Sequence, residues 1–146
     1  MAMSNPTIEG TDFPNEAPPS NTFTVDVTVE QGGPDPIASH GNCTNQNLDI
    51  SSWKTPVALF VDGEERDRVE KCINVGETKT TSLSASIADP GNHRVTVKTI
   101  SVGGNAYDLK GRIEEVNDDV SQQVRIREDA SDPSKPGPFE SIKHML

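Results

Sequence analysis

From Phe23 to Val29 an apolar side chain falls at every second position, with Thr24, Asp26 and Thr28 between. A period of two belongs to a pleated strand, whose successive side chains point to opposite faces, so this segment predicts a ribbon buried on one side and wet on the other. The same period returns in Val57, Leu59 and Val61, in Thr81, Leu83, Ala85 and Ile87, and in Val95 and Val97. Ile100 and Val102 then take the opposite parity, which predicts a bulge near Thr99. No stretch carries a convincing helical period.

Turn chemistry punctuates these ribbons. Gly32, Gly33 and Pro34 end the first strand, and Asp62-Gly63 predicts a tight hairpin whose return strand covers residues 66–75. Asp89-Pro90-Gly91-Asn92 and Gly103-Gly104 read as further turns. Tyr107, Leu109 and Ile113 mark one more strand, and Val120, Val124 and Ile126 mark the last, for about seven in all. Residues 37–55, around Cys43 and Trp53, read as a long polar connection containing one short strand.

Proline sets the domain limits. Seven of the eleven prolines lie in residues 1–20 and 133–146, while between Val57 and Asp132 there is only Pro90. Proline cannot donate to a ladder, so residues 21–127 are expected to be the sheet body. Residues 1–20 and 128–146 are expected to be extended arms. A hydrophobic content of 32% with 4% aromatics allows a thin core of Val, Ile and Leu, which suits an all-β sandwich better than a deep cleft.

The formal charge of -10 repels phosphate, which argues against nucleic acid or an anionic membrane as partner. Such acidity also resembles proteins of high-salt organisms, whose carboxylates stay hydrated where salt screens charge. The opening residues have neither a basic start nor an apolar run, and the longest apolar stretch is Val57 to Val61. These features predict a protein made in the cytoplasm without a signal peptide.

The order of features from Val57 to Val97 resembles the CARDB type of immunoglobulin-like domain, found in archaeal and bacterial surface proteins. The residues concerned are Val57, Leu59 and Val61-Asp62-Gly63-Glu64, then Gly76-Glu77-Thr78, Leu83 and Ile87, Pro90-Gly91, and Val95 with Val97. With Phe23 to Val29 as the leading strand, the likeness covers roughly 80 residues. It departs from that pattern in the insert at residues 32–55, in both cysteines and in the arms. The resemblance implies an immunoglobulin-like β-sandwich that adheres, spaces or assembles rather than catalyses. Without a signal peptide it fits a virion accessory protein of a haloarchaeal-type tailed virus: capsid decoration, vertex turret or tail component. A cell-surface adhesion or carbohydrate-binding module, with Trp53 and Tyr107 as stacking platform, is the alternative.

Candidate chemistry is sparse. Cys43 and Cys72 permit one disulfide, and two free buried thiols are equally open. His40 and Cys43 have the spacing of two metal ligands and Cys72 could be a third, but no fourth ligand is evident, so no metal is expected. Asn42-Cys43-Thr44 is a glycosylation sequon, for which a chance match is the ordinary reading. Glu114, Glu115, Asp118 and Asp119 could hold calcium, although a solvated turn between two strands is the default and the run lacks a calcium loop's alternating ligands. No nucleophile elbow, phosphate loop or metal-binding His pair is present, so no enzyme and no cofactor are expected. The arms carry Phe13 in the first and Phe139, Ile142, Met145 and Leu146 in the second. These apolar residues predict anchoring to other structural subunits or to a second copy in a homo-oligomer; a disordered tail or a short helix on its own domain is the competing reading.

Overall fold

The computed structural model describes residues 3–36, 39–43, 52–104 and 111–130. Their regular structure is strand throughout: β1 (Asn5–Asp12), β2 (Glu16–Ala17), β3 (Phe23–Gly32), β4 (Ser52–Val61), β5 (Glu64–Asn74), β6 (Thr78–Ala85), β7 (Gly91–Gly103) and β8 (Ile113–Ile126). They form two sheets, one ordered β1-β3-β6 and the other β2-β8-β7-β4-β5.

Period-two burial drives this arrangement. Phe23, Val25, Val27 and Val29 of β3 are buried with Leu83 and Ala85 of β6, against Val57 and Leu59 of β4, Val95 and Val97 of β7, and Val124 and Ile126 of β8. Each such side chain removed from water contributes about 1.5–3 kcal/mol, which holds the sheets face to face. The hairpin turn is at Asp62-Gly63, where both residues have positive φ (50° and 86°), as a two-residue primed turn requires. The bulge lies between Thr99 and Ile100, where β8 contributes the extra residue Asn117.

Three expectations need correction. The N-terminal segment is not an arm. β1 pairs along β3 and β2 runs parallel to the end of β8, so the chain crosses from one sheet to the other near Phe13, which packs half-buried against the core. Proline did not prevent this, because β1 is an edge strand. Second, the two strands expected around Ile113 and Val120–Ile126 are one, β8; Tyr107 and Leu109 lie outside the described residues. With β1 and β2 added, the described residues hold eight strands, in keeping with the expectation of about seven. Third, β4 begins at Ser52, before Pro56. The β7 ladder joins β4 only from Val57 to Val61, so Pro56 sits before its second partner strand begins.

Candidate functional site

Cys43 and Cys72 are bridged, with Cα atoms 6.0 Å apart. The bridge ties the loop at 39–43 to β5, the edge strand of the larger sheet. The loop is also held by main-chain bonds from Cys43 N to Ser52 O (3.0 Å), Lys54 N to Gly41 O (2.7 Å) and His40 N to Gly104 O (2.8 Å). It covers a small second core of Trp53, Ile100 and Val102. Gly41 is required there: a Cβ would stand 2.7 Å from both Trp53 Cζ3 and Val102 Cγ2.

Trp53 is fully buried, and its Nε1 donates to Pro34 O at 2.8 Å. It is therefore a core residue and cannot serve as a stacking platform. With its sulfur in the disulfide, Cys43 offers no thiolate to pair with His40 around a metal. Asn42 of the sequon is half-buried and bridges to Trp53, and Thr44 lies outside the described residues.

The acidic group is not in a turn. Glu114, Glu115, Asp118 and Asp119 lie within β8 and do not converge. Glu114 accepts from Arg112 at 2.6 Å and from Arg68 at 3.3 Å, and the bond from Arg112 holds its carboxyl below the usual range. Asp118 points the other way and accepts from Ile8 N at 2.9 Å. Among the described residues no group of three metal-ligating side chains assembles; of the four candidates, Glu114 forms ion pairs and Asp118 latches β1.

What Asp118 does on one side of the sandwich recurs on both. Asn117 Nδ2 and Thr99 Oγ1 each donate to Pro6 O at 2.7 Å, and Ser101 Oγ donates to Ser4 O. Across the opposite seam Ser84 N donates to Asp67 (2.8 Å), Lys79 Nζ to Cys72 O (2.9 Å), and Asn74 N to Glu77 (3.1 Å). Side chains thus occupy backbone groups that edge strands would otherwise offer to another chain. Inside, Gln31 is fully buried; its Nε2 donates to Thr55 at 2.7 Å and its Oε1 accepts from Asn5 N at 3.0 Å, joining β1, β3 and β4.

A third polar contact closes one end. His93 Nδ1 lies 2.6 Å from Asp62 Oδ2 and its Nε2 lies 2.7 Å from Asp89 O, while Asp62 Oδ1 accepts from Arg94 N at 3.0 Å. The bond to Asp62 raises the His93 pKa above 6.5, and the same bond lowers Asp62 below 3.8. With an acceptor at each nitrogen, this ring clasps two turns and is not placed to act as a general base. Of the surface hollows among the described residues, one of about 290 Å³ is lined by Thr22, Arg66 and Ser84–Ser86 and another of about 210 Å³ by Arg94 and Ser121–Gln123. Both are below the size usual for enclosed ligand sites, and neither has a mainly apolar lining.

Sequence reasoning missed His93, the seam latches and Gln31, because each joins residues far apart in the chain. Phe139, Ile142, Met145 and Leu146 lie outside the described residues.

The architecture defines the class: an immunoglobulin-like β-sandwich, a fold shared with a solved CARDB domain. The chain is similar to the solution structure of the CARDB domain of a Pyrococcus furiosus protein, at 14% identity over 86% of this chain and 94% of that one, with a TM-score of 0.50. It is also similar to a segment of the β-glucosidase from Listeria innocua solved with isofagomine, at 16% identity and a TM-score of 0.51. That match covers 86% of this chain but 16% of the enzyme, so this chain spans a small part of it. No family model and no curated protein matches the sequence.

Proposed function

We propose that this chain is a non-catalytic assembly module, a virion accessory protein of a haloarchaeal-type tailed virus that docks on neighbouring structural subunits as capsid decoration, turret or tail component. The observation that carries the reading is the latched sandwich. Both seams are bridged by side chains, so the surfaces left for contact are the broad sheet faces and the covering loop at 39–43. A rigid body with flat faces and shallow hollows suits docking by complementarity rather than turnover. The net charge of -10 suits a surface that works in concentrated salt. The carbohydrate-binding alternative loses its main support with Trp53 buried.

The test is occupancy. Particles released from cells that express the chain, banded at high salt, are expected to carry it at a fixed copy number relative to the major structural subunit, measured by quantitative mass spectrometry. Recovery in the unassembled fraction alone would overturn the reading.

A further inference from the structure

The charges of this chain are sorted between its two faces. Lys54 is the first Lys or Arg in the sequence, so β1 and β3 carry no cation. The exposed face of the smaller sheet carries Glu9, Asp12, Asp26 and Glu30. Asp12 is directly opposite Asp26, and around them are small hydroxyl side chains such as Thr28 and Thr80, 2.9 Å apart. None of these carboxylates has an ion-pair partner among the described residues. The one cation of β6, Lys79, reaches across the seam to Cys72 O instead.

The outer face of the larger sheet carries both signs, since Asp119 is opposite Lys98 and Glu70 and Arg68 are opposite Pro56 and Ala58, but it holds the cations that the smaller sheet lacks. Lys98 is opposite Ala58 on β4 and Asp119 on β8, Arg94 is opposite Gln123, and Arg125 is opposite Asn92. Cross-strand partners share a face, so Lys54, Arg94, Lys98 and Arg125 project together from the far side of the sandwich. None of the four forms an ion pair with a described residue; Lys98 Nζ rests 4.3 Å from the centroid of the Phe60 ring. In a molecule of net charge -10, four cations without an ion pair among the described residues thus lie opposite a face on which β1 and β3 carry none.

We propose that these two faces bind each other between copies: the carboxylate and hydroxyl face of one molecule stacks on the Lys54, Arg94, Lys98 and Arg125 face of the next. This adds a contact between copies to the assembly reading and rests on it; the docking on other structural subunits that is tested at high salt is a separate contact. Such a contact is head-to-tail, so it builds rows or rings rather than closed two-fold dimers. Three strands spaced about 4.8 Å apart and eight residues long present a face of roughly 14 by 27 Å, or about 400 Å² per partner. That is about half the standard interface, so the contact is weak in solution and gains strength by repetition. Net repulsion between copies fades beyond about 10 Å at 0.1 M salt, whereas groups across the contact lie closer than that.

The full chain is tested by sedimentation velocity at about 0.1 M salt, over concentrations up to about 1 mM. The weight-average sedimentation coefficient is expected to rise with concentration. Asp26→Lys with Glu30→Lys, and separately Arg94→Glu with Lys98→Glu, are each expected to abolish that rise, and an equimolar mixture of the two variants to restore it. Circular dichroism confirms that each variant folds, and about 1 M salt should weaken wild-type association as an independent check. A monomeric wild type, a single-face variant that still associates, or a mixture that stays monomeric would each overturn the proposal. If association survives both reversals and is instead lost on removing residues 133–146, the faces are excluded while the assembly reading stands. A chain that associates through its faces but is missing from particles overturns that reading alone.

Discussion

At the scale of single residues, His93 shows how an exposed pair becomes a structural clasp. Its side chain is 13% exposed, with the Asp62 carboxylate at one ring nitrogen and the Asp89 carbonyl at the other. Both contacts are satisfied together only by the imidazolium, which donates twice; a neutral ring turns one lone pair toward an oxygen. The folded pKa of His93 therefore lies above 6.5, chiefly because of Asp62, and its contribution to stability is full below the unfolded value. That contribution disappears as the pH rises through the folded value. Asp62 behaves oppositely: its pKa lies below 3.8, and its contribution disappears as the pH falls through that lower value. The clasp is strongest between these limits, so the urea midpoint of the wild type is expected to fall as the pH is raised past about 6.5. In His93→Gln this fall should largely vanish, since the other histidines remain; an equal slope in both proteins would contradict the assignment. The Asp62-Gly63 turn is legible in sequence because its backbone demands are local. The His93 contact is not, because its partners belong to no motif and lie 31 positions apart.

At the scale of elements, local periodicity and tertiary pairing divide the outcome. β3, β6 and the first half of β7 are legible because each buries alternate aliphatic side chains, and the bulge near Thr99 follows from the parity change at Ile100. β4 is legible only from Pro56, because its first residues lie in the expected connection. β8 misleads because its first half, from Glu114 to Asp119, is acidic and exposed, kept extended by pairing with β7 rather than by its own burial. β1 misleads because Pro6 and Gly10 sit in it; its stability comes from β3 on one side and from Asp118, Asn117 and Thr99 across the seam. The disulfide is half legible: two cysteines permit it, but only the fold brings the covering loop to the edge strand. Closing a loop across 29 positions restricts the unfolded chain by about 3–4 kcal/mol. Cys43→Ser with Cys72→Ser is expected to lower stability by about that amount in urea denaturation. It should also shift Trp53 fluorescence to the red as its loop cover loosens. A loss under about 0.5 kcal/mol would mean that the main-chain bonds and the packing at Gly41 hold the loop unaided.

Across the whole molecule, the segregation of charge makes salt act in two directions at once. Within one copy, the net charge of -10 and the Asp12 and Asp26 pair on neighbouring strands repel, and this repulsion opposes compactness. Between copies, the same carboxylates face cations in the head-to-tail contact. Raising the salt from about 0.1 M to about 1 M shortens the screening length from about 10 Å to about 3 Å and weakens both effects. Folding stability is therefore expected to rise over that range while self-association falls. Asp12→Asn separates local from global repulsion, because it removes one member of the cross-strand pair and changes the net charge by a single unit. It should raise the urea midpoint at low salt, by an amount on the order of 0.5 kcal/mol, and reduce the further gain on adding salt. If the midpoint of Asp12→Asn matches the wild type at low salt while both still gain equally from added salt, the repulsion is spread over the whole acidic surface. The carboxylates of the smaller sheet would then hold no special place in folding.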